Sequence, residues 1–256
     1  MMARILITGS SDGLGLLAAQ TLVKRGHKVV LHARNTTRAR DAEKACPGAE
    51  TVVVGDLSSI KETKKLASDI NALGRFDAIV HNAGLYFGGC RMTSEGFPAL
   101  VAVNTFAPYI LTCLINKPKK LVYLSSGYHA SGDPSLKDIA WKERGESAWS
   151  DSQGYANSKM HNVMFAKAIA RKWRDVQSTS MDPGWQPTKM GGKNAPGDLQ
   201  SSVSTYVMLV EEDIESGKYF KPGRREAVPS KFCEDIEAQD KLLRLCETFT
   251  GVSLPN

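Results

Sequence analysis

The chain has 256 residues, a formal net charge of +6, 42% hydrophobic residues and 23% charged residues. Those proportions are ordinary for a globular protein with a sizeable core, and no apolar run approaches the length needed to cross a bilayer. Lys and Arg are dispersed and do not alternate with aromatics, which argues against nucleic-acid binding. Part of the charge is more economically used in a basic pocket for a phosphorylated ligand. Cys46, Cys90, Cys113, Cys233 and Cys246 form no Cys-x-x-Cys pair and have no His at metal spacing, so reduced thiols, no metal and a cytoplasmic setting are expected. Met1-Met2-Ala3-Arg4 runs straight into a strand-like segment, and no signal peptide is expected.

In chain order, Ala3 to Thr8 is short, apolar and β-branched, and reads as a buried strand. Gly9-Ser-Ser-Asp-Gly13-Leu-Gly15 follows, then a helical pattern through Leu17, Ala18, Thr21 and Leu22 that ends near Gly26. Strand, glycine turn and helix together let backbone amides approach a phosphate at a helix start. Lys28 to Ala33 completes a βαβ unit. The alternation continues with a helix at 36–46, a strand at 51–54, a helix at 59–71 capped at Ser58 or Ser59, and a strand at 77–80. A helix or broken pair is expected over 93–115, around Pro98 and Pro108. Strands at 120–124 and 176–181 flank an irregular section and a helix carrying Gln153-Gly-Tyr155-Ala-Asn-Ser-Lys159, whose apolar residues Met160, Val163, Met164, Ala166, Ala170 and Trp173 recur at amphipathic spacing. A Pro- and Gly-rich loop from Asp182 to Asp198 is too long for a plain connection and is a candidate lid. Helices over 199–212 and 234–248, with a short strand at 217–220, complete the chain. Repeated βα units without a linker point to one domain, residues 1–256, built on a doubly wound parallel α/β sheet.

In such sheets ligands lie beyond the carboxyl ends of the strands. The residues there are Gly9 to Gly15, Arg34-Asn35, Asp56-Leu57, Asn82-Ala83-Gly84, Ser125-Ser126 and Asp182-Pro183-Gly184. Tyr155 and Lys159, four apart, share one helical face. An ammonium beside a phenol favours the phenolate and brings Tyr155 toward acid/base work near neutrality.

Thr8-Gly9-x-x-x-Gly13-x-Gly15, Asn82-Ala83-Gly84, Asn104, Ser125-Ser126, Tyr155-x-x-x-Lys159 and Pro183-Gly184-x-x-x-Thr188 resemble the short-chain dehydrogenase/reductase superfamily, in its order. Ser126-x-x-His129 and Ser216-Gly-Lys-Tyr-Phe220 look like its retinol-dehydrogenase-like branch and that branch's bacterial ketoreductase relatives. The resemblance implies a Rossmann-type fold and hydride transfer between NAD(P)H and a carbonyl or alcohol. It implies Tyr155 as general acid or base, Ser126 as anchor of the substrate oxygen, and Lys159 on the nicotinamide ribose. Asn104 would hold a water linking Lys159 to solvent. Gly9, Ser11, Asp12, Gly13, Leu14 and Gly15 would cradle the dinucleotide, Asp56 and Leu57 would sit by the adenine, and Asn82, Ala83 and Gly84 by its ribose. Pro183, Gly184 and Thr188 would lie at the nicotinamide.

An NAD site normally carries an acid after the second strand. Here Ala33 stands there, with Arg34 and Asn35 next and Arg38 on the following helix. Guanidinium suits a 2′-phosphate, so NADP(H) is expected over NAD(H). The Ser126-to-Tyr155 stretch is longer than in the commonest short forms. This insert, 127–152, with His129, Trp141 and Trp149, could wall the substrate pocket or form an outer flap. The region between Asn104 and Ser126 is shorter than usual, which leaves open whether the chain forms the homo-oligomers seen among relatives. His161 and Asn162 read as packing residues and His81 as non-catalytic. The expected ligand is a small apolar ketone, aldehyde or alcohol. A catalytically silent dinucleotide-binding regulator is the alternative, although such proteins typically lose the Tyr or Lys kept here. A sugar-nucleotide epimerase fits less well, because little chain follows Pro183 to build a separate substrate lobe.

Overall fold

The computed structural model describes residues 2–255. Five β-branched or aliphatic runs and one hydroxyl-rich run form the parallel strands β1 (Arg4–Ile7), β2 (Lys28–Ala33), β3 (Thr51–Val54), β4 (Ala78–His81), β5 (Lys120–Leu124) and β6 (Gln177–Met181). With β7 (Tyr219–Lys221) and β8 (Arg225–Ala227) they make one sheet in the order β3-β2-β1-β4-β5-β6-β7-β8. The order reverses between β1 and β4, where Ile5, Leu6 and Ile7 pair with Ala78, Ile79 and Val80, and a crevice opens at such a switch point.

The strands are buried on both faces, so alternate residues feed two cores. Leu6, Val30, Ile79 and Leu121 face α3 (Ile60–Ala72), α5 (Ala107–Leu114) and α6 (Asp151–Lys172). Ile5, Ile7, Leu31 and Val80 face α1 (Gly13–Lys24), α2 (Thr36–Ala45) and α7 (Leu199–Glu211). The terminal helix α8 (Ile236–Thr250) packs outside α6.

The expected doubly wound parallel sheet runs from β3 through β7, and β8 adds a short edge strand antiparallel to β7. Three expectations are corrected. No helix begins at Thr93: Met92 bridges Pro98, and helix starts with α4 (Ala99–Val101). Pro108 does not break the run: its missing N–H would leave the Asn104 carbonyl without a donor, and Asn162 Nδ2 donates to that carbonyl at 3.0 Å. Between α4 and α5 lies a π-helical turn, Ala102–Phe106, that contains Asn104. Finally, α6 is not amphipathic. Gly154 through Ala166 are all buried, because the sheet, the 127–131 turn, the π turn and α8 together surround the helix.

The 127–152 insert is packed on α6 rather than flapping free. The rings of Trp141 and Trp149 lie 4.7 Å apart, and a Cβ on Gly154 would fall 2.7 Å from Trp149 Cη2. Neither tryptophan lines the main cavity.

Candidate active site

A cavity of about 980 Å³ runs along the carboxyl ends of the strands, from the glycine turn to Tyr155 and Lys159. Its size is at the upper end for small-molecule and cofactor sites. Its floor is set by close backbone approach. Gly9 has φ 61° and a Cβ there would lie 2.7 Å from Ala83 Cα; on Gly15 it would lie 2.4 Å from Asn82 Nδ2. Only glycine fits either position. Asn82 Nδ2 donates to the carbonyls of Thr8 and Gly9 at 2.8 and 3.1 Å, and its Oδ1 accepts from Tyr206 at 2.7 Å. Thr8 Oγ1 accepts from the N–H groups of Asn82 and Ala83. Asn82 is thus a staple beneath the glycine turn as well as a lining residue.

Gly9, Ser11, Asp12, Gly13, Leu14, Gly15, Arg34, Asn35, Asp56, Leu57, Asn82, Ala83, Gly84, Pro183 and Thr188 all line this cavity, and Gly184 does not. The cavity also takes in His32, which motif reasoning passed over. His32 Nδ1 accepts from Gly9 N–H at 2.9 Å and Nε2 donates to the Gly55 carbonyl at 2.9 Å. Burial holds its pKa below the ordinary value, so the neutral ring fixes both the glycine turn and the end of β3. A histidine inside an apolar strand gives no sequence signal beyond core packing. Tyr206, Arg91 and Lys189 were passed over as well, and Met190, expected in the cover of the pocket, lines the cavity.

At the far end, Tyr155 and Lys159 rise from the first turns of α6, whose N-cap Ser150 accepts from Gln153 N–H. Both are buried. Burial is the largest influence on each: it pushes the Tyr155 phenol up to about 12, with the Ser126 hydroxyl pulling the other way, and the Lys159 ammonium down to about 8. The expected lowering of Tyr155 by Lys159 is therefore not realised by the chain itself. Lys159 Nζ donates to the Leu124 carbonyl at 2.9 Å and lies 5.3 Å from the Tyr155 ring centre. Ser125 and Ser126 now separate. Ser125 donates to the Lys159 carbonyl at 2.8 Å, whereas Ser126 begins the 127–131 turn and sets its hydroxyl beside the Tyr155 phenol.

Asn104, turned inward by the π segment, donates to the Leu85 carbonyl and to Ser158 Oγ and accepts from Leu85 N–H. Both amide hydrogens are spent, so only the second lone pair of Oδ1 could take a water. A Cβ on Gly84 would lie 3.4 Å from Lys159 Nζ and 3.6 Å from Asn104 Oδ1. Asn162 supports the cluster by donating to the carbonyls of Asn104 and Ser158, and His161 bonds Thr105. His81 pairs with Thr112 inside the core.

A doubly wound sheet, a glycine turn at the switch point and a Ser–Tyr–Lys cluster at the end of one long cavity define a dinucleotide-dependent oxidoreductase. The comparisons give the family. The model for "short chain dehydrogenase" matches residues 3–120. The chain is 45% identical to "Short-chain dehydrogenase chry4" of Gibberella zeae, covering 100% of both, and 46% identical to "Short-chain dehydrogenase chyC" of Penicillium rubens, covering 99% of this chain and 100% of that one. It is 26% identical to "Retinol dehydrogenase 13" of Homo sapiens, over 98% of this chain and 86% of that protein. Among solved structures, an uncharacterised protein from Mycobacterium Paratuberculosis superposes with TM-score 0.87 at 22% identity, covering 99% and 95%. A short chain dehydrogenase from Shigella flexneri complexed with NADP does so with TM-score 0.63 at 23% identity, covering 86% and 96%. The chain belongs to the short-chain dehydrogenases, and is an oxidoreductase of that family. Among the described residues, no helix is long and apolar enough to cross a membrane, and all five cysteines are free thiols.

Proposed function

We propose that this protein is an NADPH-dependent carbonyl reductase, or the corresponding alcohol dehydrogenase, acting on an apolar ketone or aldehyde with Tyr155 as general acid and base. One observation carries this: a single cavity holds the glycine turn at one end and Tyr155, Lys159 and Ser125 at the other, with the Ser126 hydroxyl beside the Tyr155 phenol. The residues fit a dinucleotide. Gly9 and Gly15 leave no room for side chains beneath the turn, and the first residues of α1, Gly13 to Gly15, line the cavity. When bound, the nicotinamide supplies or takes the hydride.

The chain supplies the rest. Ser126 donates a hydrogen bond to the carbonyl oxygen and orients it within reach of Tyr155. Burial keeps the Tyr155 phenol protonated, and the alkoxide forming on the substrate is a stronger base than the phenolate, so the proton passes to it. In oxidation the same proton returns. Lys159 Nζ lies between Leu124 and Gly84, and holds the ribose hydroxyls. Asn104 fixes Leu85 and Ser158, keeping the Asn82-Ala83-Gly84 turn against Lys159, and its remaining lone pair holds the water through which the proton is replaced. Pro183 and Thr188 close the nicotinamide end.

NADPH is favoured over NADH because Arg34 and Arg38 line the cavity just past β2, where Ala33 leaves no carboxylate. Asp12 competes for Arg38 at 3.2 Å, which leaves Arg34 as the main 2′-phosphate ligand. A panel of apolar ketones and aldehydes with NADPH and with NADH, followed by loss of nicotinamide absorbance, tests both points. Arg34→Asp should raise KM for NADPH about tenfold or more and leave NADH little changed. A clear NADH preference in the unmodified protein would overturn the cofactor assignment, and a bound cofactor with no carbonyl turned over would overturn the activity.

A further inference from the structure

The apolar wall around Tyr155 continues outward as a set of rings. Tyr86, two residues past Gly84, lays its ring 4.5 Å from that of Tyr155 at a 38° tilt. Phe87 lies 4.3 Å from Tyr86. Tyr128, on the turn opened by Ser126, lies 5.9 Å from Tyr86 and 6.0 Å from Tyr155, nearly edge-on at 73°. Two of these rings face solvent, Phe87 at 68% exposure and Tyr128 at 49%. Large rings exposed together mark a place where something binds.

The rings are held in place by the elements that build the active site. Asp151, at the start of α6, accepts from Gly89 N–H at 3.3 Å and from Trp149 Nε1 at 2.6 Å, pinning the segment that carries Phe87. Ser126 Oγ accepts from Tyr128 N–H at 3.3 Å. The Tyr128 phenol beside Tyr86 and partial burial raise the Tyr86 pKa above its ordinary value. Aromatic pairs favour tilted and edge-on contacts with centroids about 4.5–7 Å apart, the geometry these rings already adopt among themselves. A ligand ring joining them gains that preference; a saturated ring of the same size gains only area burial.

We propose that Tyr86, Phe87 and Tyr128 form an aromatic rim that binds the aryl ring of a carbonyl substrate, whose C=O reaches Tyr155 and Ser126. The substrate class is an aryl-bearing ketone or aldehyde, with the ring outside and the carbonyl inside. The occupant is a small molecule and not a protein because the innermost rings touch the reacting phenol itself. The assignment rests on the carbonyl-reductase function proposed above.

The test compares 4-phenylbutan-2-one with 4-cyclohexylbutan-2-one, which present the same unconjugated ketone on the same chain. With NADPH, kcat/KM should favour the phenyl compound about tenfold. Phe87→Leu and Tyr128→Leu, at exposed positions, should bring the ratio close to one, while Tyr128→Phe should keep it. Equal turnover by the unmodified protein, or a ratio that survives both Leu variants, overturns the aromatic rim. If neither ketone is reduced, the reductase function has failed. The rim is then read from binding of the two ketones to the NADPH-loaded protein by tryptophan and nicotinamide fluorescence, where equal affinities overturn it and a phenyl preference lost in the Leu variants supports it.

Discussion

Tyr155 and Lys159 are both buried, and burial moves them in opposite directions, the phenol up to about 12 and the ammonium down to about 8. At pH 7 each keeps its proton, so Tyr155 is an acid in waiting. Tyr155→Phe removes one oxygen from a buried ring and should cut turnover by roughly 10²–10⁴-fold, with NADPH affinity nearly unchanged by fluorescence titration. Full activity in that variant would place the proton donor elsewhere. Lys159→Ala should differ, losing turnover and NADPH affinity together if its ammonium holds the ribose as proposed; an unaltered dissociation constant would refute that second role. Gly15→Ala probes the other end of the cavity. Its methyl would sit 2.4 Å from Asn82 Nδ2 and 2.9 Å from the Gly9 carbonyl. Since Asn82 is bonded to Thr8, Gly9 and Tyr206, the staple cannot step aside. Thermal unfolding should show a lowered Tm and titration a loss of NADPH binding, and a normal value of both would mean the turn is looser than its hydrogen bonds indicate.

The 182–198 loop is an element without regular structure, and it is tied to α1 by charge. Lys189 Nζ lies 2.5 Å from Asp12 Oδ2, and Asp12 is the N-cap of α1. Partial burial works against the Asp12 carboxylate, but Lys189 and the Gly13 N–H outweigh it and hold its pKa below the usual range. The ion pair spans the cavity mouth and its lysine is mostly exposed, so its effect should be modest and salt-sensitive. Lys189→Ala should raise KM for NADPH about two- to fivefold at low salt, and 0.5 M NaCl should erase the difference. An effect that persists in high salt would mean that Lys189 acts through packing. Elements of this kind explain what the sequence could and could not disclose. Strands β1 to β5 were legible because burial on both faces demands β-branched or apolar runs, whereas β6, Gln-Ser-Thr-Ser-Met, gave a poorer signal; the glycine turn was legible because only glycine permits the approach to Ala83. β8 was not legible: Arg225-Glu226-Ala227 carries two charges on a three-residue exposed edge and has no apolar period to read. Nor was the buried setting of α6, since the layer covering its outer face comes from α8 and the 127–131 turn, distant in sequence. Strand parity could not separate Ser126 from Ser125, and the family pattern alone favoured Ser126; the hydrogen bond of Ser125 to the Lys159 carbonyl depends on α6, distant in sequence.

At the scale of the whole molecule, all five histidines are buried; His27 sits against Glu211, and the other four lie deeper in the fold: His32 under the glycine turn, His81 against Tyr123, His129 bonded to the Ser126 carbonyl and Ser230 N–H, and His161 against Thr105. Burial lowers the pKa of each of these four from the ordinary 6.5, to about 3 for His81 and His161. The sign of the coupling follows. The native protein keeps these rings neutral while the unfolded chain protonates them below 6.5, so the stability they contribute is complete above that pH. It is lost progressively as pH falls from 6.5 toward the lowered native values. Each ring that stays neutral only in the fold adds a slope of about 1.4 kcal/mol per pH unit. Urea midpoints should therefore be level from pH 8 to 7 and fall steeply between pH 6.5 and 5, before most carboxylates begin to titrate. His161→Gln isolates one contribution: whatever it costs at pH 8, its stability should decline more shallowly below 6.5 than that of the unmodified protein. A parallel decline would mean that His161 can be protonated in place, and a flat profile in the unmodified protein would mean that all four can. Because His32 and His129 also brace the glycine turn and Ser126 and stay neutral in the native protein, NADPH binding at pH 6 should persist for as long as the chain stays folded and be lost together with the fold, joining the acid limit of the fold to that of its function.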